Sequence, residues 1–254
     1  MIAKRSAAIV GLLSLLGSAC GRPTPPRKLS IAAAADLQFA LAEAARQFHK
    51  QHPQADVAID YGSSGNFYAQ IRNGAPFDLF LSADVQYPRN LAYDGLVRED
   101  AIFVYAAGRI AVWVPATSTF DPATALRDPA VNRIAIANPQ HAPYGRAAEA
   151  ALRSLGLYDS VQKKLVLGEN ISQTLQFVQS GAADAGIVAL SLAVAPTVRG
   201  QGRYWEVPLD AYPKMEQGGV ILKDSPVARE FRDWLLAPAG RALLKQYGFS
   251  LPGE

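Results

Sequence analysis

Apolar positions along this chain follow two periods in turn: a short apolar run, then a stripe at helical spacing. Residues 28–34 predict a strand. Residues 37–48 then place Leu37, Leu41, Ala44, Ala45 and Phe48 on one helical face. Val57, Ile59 and Tyr61 alternate with polar or small residues and predict a second strand. A helix over 67–73 follows it, stopped by Gly74 and Pro76. Further strands are predicted at 78–81, 110–114, 133–137, 185–189 and 218–222, with a turn and short strand in 161–166. Further helices are predicted at 88–94, 145–155, 172–180, 227–236 and 239–247, with Gly95, Gly156 and Gly181 closing the first three. Strands alternating with helices imply parallel α/β sheets with ligands at the strands' C-terminal ends. If the chain divides into lobes, Gly108 and Gly218 are the candidate hinges.

The first residues break this pattern. Lys4 and Arg5 precede an apolar run, 7–16, too short to span a bilayer, and Gly17-Ser18-Ala19 leads into Cys20. This reads as a secretory signal peptide over 1–19. Cys20 is the only cysteine, so no internal disulfide can form. Its place at the cleavage point resembles a bacterial lipoprotein signal, and Cys20 is the expected lipidation site. That would make the membrane a tethering surface for a periplasmic protein. Residues 20–28, rich in proline, form the tether. Removing 1–19 leaves 23 basic residues against 22 acidic ones, and no basic stripe appears, which argues against nucleic acid.

Candidate chemistry sits in four turns. Tyr61-Gly62-Ser63-Ser64-Gly65 joins a strand to a helix. The unpaired amides of a helix start and two hydroxyls make a place for an oxyanion. Ala32-Ala33-Ala34-Ala35-Asp36 ends the first strand, and Asp36 is expected to cap the helix that follows. Asn138-Pro139-Gln140-His141-Ala142-Pro143-Tyr144-Gly145 carries a hydroxyl at Tyr144. Gly168-Glu169-Asn170-Ile171-Ser172 offers the amide of Ile171, with Asn170 or Ser172 as cap. Two turns come from each half of the chain, so they can face one another across a cleft.

The Tyr61–Gly65 and Asn138–Gly145 stretches resemble the periplasmic molybdate-binding proteins of bacterial ABC transporters, of the type II substrate-binding class. So do Asn73-Gly74-Ala75-Pro76, Asp78-Leu79-Phe80-Leu81-Ser82-Ala83-Asp84, Gly181-Ala182-Ala183-Asp184-Ala185-Gly186-Ile187-Val188-Ala189 and Tyr247-Gly248-Phe249. The similarity runs from about Leu29 to Phe249. It implies a two-lobed α/β protein, each lobe a mostly parallel sheet flanked by helices, with the ligand cleft between lobes. Lobe I would comprise 29–108 and 218–254, and lobe II 109–217. It also implies a monomeric binding protein, not an enzyme, that holds molybdate or tungstate without a cofactor and delivers it to a membrane permease. The matching ligand positions are Ala35, Asp36, Ser63, Ser64, Tyr144 and Ile171, which would contact the oxygens and leave the metal without direct protein ligands. Two positions depart from other members. Some carry serine, or threonine and asparagine, where this chain has Ala35 and Asp36, and some carry tyrosine at the position of Ala189. A carboxylate facing a dianion would repel it by several kcal/mol in a partly buried site, so Asp36 either turns away as a helix cap, the favoured reading, or is protonated, or accepts from a protonated oxyanion.

Other readings compete. Sulfate, phosphate or a small organic anion could occupy the same fold. A periplasmic serine hydrolase would use Ser64 as nucleophile and His141 as base, although Gly62-Ser63-Ser64-Gly65 does not fit the G-x-S-x-G elbow. Three histidines and no cysteine pair support a metal site poorly. A lipid-tethered adaptor would leave the four donor-rich turns unexplained.

Overall fold

The computed structural model describes residues 27–253. The expected signal peptide, Cys20 and the proline-rich segment lie outside the described residues. Arg27, which the sequence places in the tether, belongs to the first strand instead, as does Lys28, where the predicted strand and the tether overlap. Arg27 makes two hydrogen bonds to Glu230, at 2.9 and 2.8 Å, which hold that strand's start in place.

The chain begins with β1 (Arg27–Ala34), a 3-10 turn (Ala35–Leu37) and α1 (Gln38–Gln51). It continues through β2 (Ala55–Gly62), α2 (Ser64–Arg72), β3 (Leu79–Ser82), α3 (Gln86–Tyr93) and β4 (Ile102–Gly108). It then enters a second group: β5 (Ile110–Pro115), β6 (Ile134–Ala137), α4 (Pro143–Ser154), α5 (Tyr158–Val161), β7 (Leu165–Gly168) and α6 (Ile171–Gln179). β8 (Ala185–Ala189), α7 (Leu190–Ala193) and β9 (Gly202–Glu206) complete that group. β10 (Met215–Ile221), α8 (Pro226–Leu236) and α9 (Pro238–Gln246) follow.

These strands form two five-stranded sheets, ordered β2-β1-β3-β10-β4 and β7-β6-β8-β5-β9. The sheets share one plan. Strands joined through helices pair in parallel, as β1 does with β2 and β3 and β6 does with β7 and β8. One strand in each runs against both of its neighbours: β10 in the first sheet and β5 in the second. Both reversed strands lie where the chain has just crossed from one sheet to the other. The expectation of mostly parallel sheets therefore holds with this one reversal in each. Residues 215–217 pair with β4, so the second crossing precedes β10 and falls before Gly218.

The pattern of alternation explains the layering. In β1, Leu29, Ile31 and Ala33 join the main core together with Leu41, Ala44 and Phe48 of α1. Phe48 meets Phe231 of α8 edge to face at 5.1 Å. Ala32, on the other face of the same strand, joins Phe67, Ile71, Phe80, Leu91 and Val220. Helices thus cover both faces of the first sheet. Trp113 of β5, Ile134 and Ile136 of β6 and Leu175 and Val178 of α6 are buried in the second. Gly95 and Gly156, predicted to stop helices, take left-handed backbone with φ of +74° and +69°.

Candidate functional site

The four turns found in the sequence converge. Ala35, Asp36, Ser63, Ser64, Tyr144 and Ile171 line one small pocket, with Ala34, Gly62, Ala83, Ala142 and Pro143. The first-sheet group supplies the ends of β1, β2 and β3, and the second supplies the starts of α4 and α6. The lining carries no lysine, arginine or histidine. The cavity volume is only about 10 Å³. That is about one water position.

Ser64 is the first residue of α2 and is 1% exposed. Its Oγ accepts the Ala83 amide at 3.0 Å, so its own proton remains available to donate. Ser63 is the N-cap: its Oγ accepts the Asn66 amide at 3.4 Å and lies 3.0 Å from His141 Nδ1. Asn170 caps α6 by accepting the Gln173 amide at 3.0 Å, leaving Ile171 as the first helical residue. Helix geometry leaves the first amides of α2 and α6 without intrahelical partners, and the first residue of each helix, Ser64 and Ile171, lines the pocket.

Asp36 departs from expectation. It caps no helix: the 3-10 turn has Ala34 at its N-cap, α1 has Leu37, and neither is bonded by a side chain. Asp36 is instead 1% exposed, and its Oδ2 accepts from the Tyr144 hydroxyl at 2.9 Å and from Gln217 Nε2 at 2.6 Å. Gln217 Nε2 is also 3.2 Å from the Tyr144 hydroxyl. Asp36 Oδ1 has no hydrogen-bond partner, and neither has Gln217 Oε1. Burial pushes the Asp36 carboxyl up from its usual 3.8 to about 6, against the lowering effect of Gln217, Tyr144 and the backbone amides of Asp36 and Leu37. Burial first, and the Asp36 charge second, push the Tyr144 hydroxyl well above the usual tyrosine range. Tyr144 therefore keeps its proton and donates a hydrogen bond to Asp36, a use the sequence does not suggest.

Gly108 makes this cluster possible. A Cβ there would lie 2.4 Å from the Tyr144 hydroxyl and 2.8 Å from Gln217 Nε2. Gln217 escapes the sequence reading because the predicted strand starts one residue later. Its signal is a polar residue on the buried side of the strand Met215–Ile221, directly before Gly218 and Gly219, where only a buried polar partner justifies it.

Contacts bridge the two groups around the pocket. The Gly65 amide donates to the His141 carbonyl at 2.9 Å, and a Cβ on Gly65 would meet that same oxygen at 2.5 Å. Ser172 Oγ donates to the Ala35 carbonyl, and Ser191 Oγ donates to the Asp36 carbonyl. Arg146 pairs with Asp84 at 2.7 Å and donates to the Tyr87 hydroxyl. Asn66 Nδ2 donates to Glu169, whose other carboxylate oxygen is 3.6 Å from His141 Nε2. The hydrolase pairing of Ser64 with His141 is not assembled, since His141 meets Ser63 and Ser64 meets Ala83. Among the described residues no three or more His, Cys, Asp or Glu side chains group as a metal site, and no helix is long and apolar enough to cross a membrane.

A family model described as bacterial extracellular solute-binding protein matches residues 29–250. The chain belongs to this family. It is 38% identical over 228 residues to the molybdate-binding protein ModA of Azotobacter vinelandii, covering 88% of this chain and 90% of that protein. It is 35% identical over 196 residues to ModA of Rhodobacter capsulatus, covering 76% and 77%. The solved periplasmic molybdate-binding protein of Azotobacter vinelandii superposes with a TM-score of 0.81 at 35% identity, covering 88% of this chain and 99% of that one. The resemblance drawn from the motifs is thus borne out along nearly the whole described chain, and the solute-binding fold is the one its two sheets form.

Proposed function

We propose that this protein binds molybdate, and tungstate by the same contacts, and delivers it to an ABC importer. One observation carries the reading: six residues from four separate turns, drawn from both sheets, line one pocket with no cationic side chain. The relatives named for molybdate binding support it across most of the chain. The chain acts as a binding protein rather than an enzyme.

The two sheets with their helices serve as lobes. Residues 27–108 with 215–253 form lobe I, and 109–206 form lobe II, with the second crossing at 207–214. The ion enters between them. The Ser64 hydroxyl and the amides at the starts of α2 and α6 bond its oxygens, each bond strengthened by the ligand's charge. Helix dipoles spread that charge without a buried cation. A tetrahedral oxyanion is larger than one water, so the lobes part to admit it and close again around it. Bonding from both lobes makes closure depend on the ion, and the closed shape docks on the permease. The protein works outside the cytoplasmic membrane as a monomer, anchored there through lipidated Cys20 after removal of residues 1–19.

Titration calorimetry with molybdate, tungstate, sulfate and phosphate tests this. Molybdate and tungstate should bind most tightly. Tighter binding of sulfate or phosphate would reassign the ligand, and no heat from any of the four would end the oxyanion reading.

A further inference from the structure

We propose that Asp36 makes oxyanion capture a proton-coupled event: one proton is taken up onto Asp36 Oδ1 for each oxyanion bound, and that O–H donates to an oxygen of the ion. This rests on the pocket being the oxyanion site.

The geometry divides the carboxyl into two unequal oxygens. Oδ2 accepts two hydrogen bonds, from Tyr144 and Gln217. Oδ1 is buried and accepts none. A buried oxygen without a donor is costly to leave so. Protonating it turns an orphaned acceptor into a donor, and an oxyanion oxygen is the acceptor such a donor needs. The charges lead to the same place. An ionised Asp36 would add a negative charge beside a dianion in a lining without lysine, arginine or histidine. A neutral Asp36 removes that repulsion.

The groups around Asp36 leave it as the one that takes the proton. On α4, the Tyr144 hydroxyl is already protonated and donates to Oδ2. On β4, Tyr105 donates to the Ser82 carbonyl at 3.0 Å, and its hydroxyl is likewise pushed well up by burial. Gln217 of β10 is neutral, and Ser191 of α7 donates to the Asp36 carbonyl. Tyr212 lies beyond Tyr144, where its hydroxyl accepts the Ile110 amide at 3.3 Å. His141 and Glu169 stand past Ser63, engaged with Ser63 and Asn66. Burial also favours the neutral carboxyl at Asp36 itself.

The balance is simple: the oxyanion keeps its charge, solvent supplies one proton, and the Asp36 carboxylate becomes a carboxylic acid. Above the carboxyl's titration in the unliganded protein, affinity should therefore fall about tenfold per pH unit. Asp36→Asn supplies a permanent donor in the same shape and takes up no proton.

The test is calorimetry of the mature chain with sodium molybdate at pH 6 to 8, in MES, HEPES and Tris buffers of different ionisation enthalpy. Close to one proton taken up per ion at pH 8, with Kd rising about 50-fold from pH 6 to pH 8 because half of the Asp36 carboxyl is already ionised at pH 6, is the expected result. Asp36→Asn should abolish both the uptake and the slope. Molybdate binding by the unmodified protein with no proton uptake and a flat pH profile would overturn the proposal and leave the site intact. Proton uptake that persists in Asp36→Asn would overturn it too, by placing the proton elsewhere. Absence of binding by molybdate, tungstate, sulfate and phosphate alike would refute the site itself, and this proposal with it. Should Asp36→Asn fail to fold, the proton count on the unmodified protein still decides.

Discussion

Two strand ends meet at the pocket and bury polar groups in different ways. At the start of α2, Ser64 accepts the amide of Ala83 and keeps a proton to give away. At the end of β1, Asp36 accepts two bonds on one oxygen and none on the other. A buried hydroxyl with one bond made is inexpensive and ready to donate. A buried carboxylate is expensive in every ionised arrangement the pocket offers. The comparison teaches that the neutral side of the pocket supplies affinity by geometry alone, whereas the acidic side makes affinity depend on a proton.

The comparison can be sharpened first through stability. Burial raises the Asp36 carboxyl from 3.8 to about 6. The folded protein then binds the proton more tightly than the unfolded chain does. Its stabilising effect is fully present below about pH 4 and is lost as pH rises through about 6. The loss amounts to about 3 kcal/mol for the form with Asp36 buried. Chemical denaturation of ligand-free protein between pH 4 and pH 8 should reveal this fall, and Asp36→Asn should remove it. A second variant strikes the neutral side. Ser64→Ala should weaken molybdate binding by roughly 1.5–3 kcal/mol, the worth of a hydrogen bond to a charged group; unchanged affinity by calorimetry would mean that Ser64 does not face the ion.

Smaller effects probe the contacts between lobes. Gly65→Ala pushes a methyl against the His141 carbonyl, which is backbone and cannot swing away. Holding the lobes apart there should cost about 1–3 kcal/mol of binding, with solution scattering reporting a more open shape in the presence of molybdate. Ser63→Ala removes a helix cap and should lower the unfolding free energy by about 1 kcal/mol. Its effect on molybdate affinity should be smaller than that of Ser64→Ala, because the Ser63 hydroxyl is already engaged with Asn66 and His141.

Much of this was legible in the sequence, for local reasons. Periodicity located the helices that position the site, and turn chemistry located Ser64, Tyr144 and Ile171, because strand-to-helix turns announce themselves in a few adjacent residues. β4 was missed because 102–114 is almost continuously apolar, and only Gly108 and Arg109 divide it. β9 was missed because it is a polar, largely exposed edge. Strand direction carries no periodic signal, so the reversals of β5 and β10 were not foreseen. Asp36 was misread as a cap because its partners lie 108 and 181 residues away. A local rule proposes a local partner, and only the folded chain brings Tyr144 and Gln217 to that carboxyl.

The most direct measurement is a crystal of the mature protein grown with molybdate, with the metal located by its anomalous scattering. The account predicts one tetrahedral ion between the lobes, its oxygens within hydrogen-bond distance of the Ser64 hydroxyl and the Ile171 amide. A molybdenum peak on the outer surface, with those two groups making no contact to it, would contradict the account.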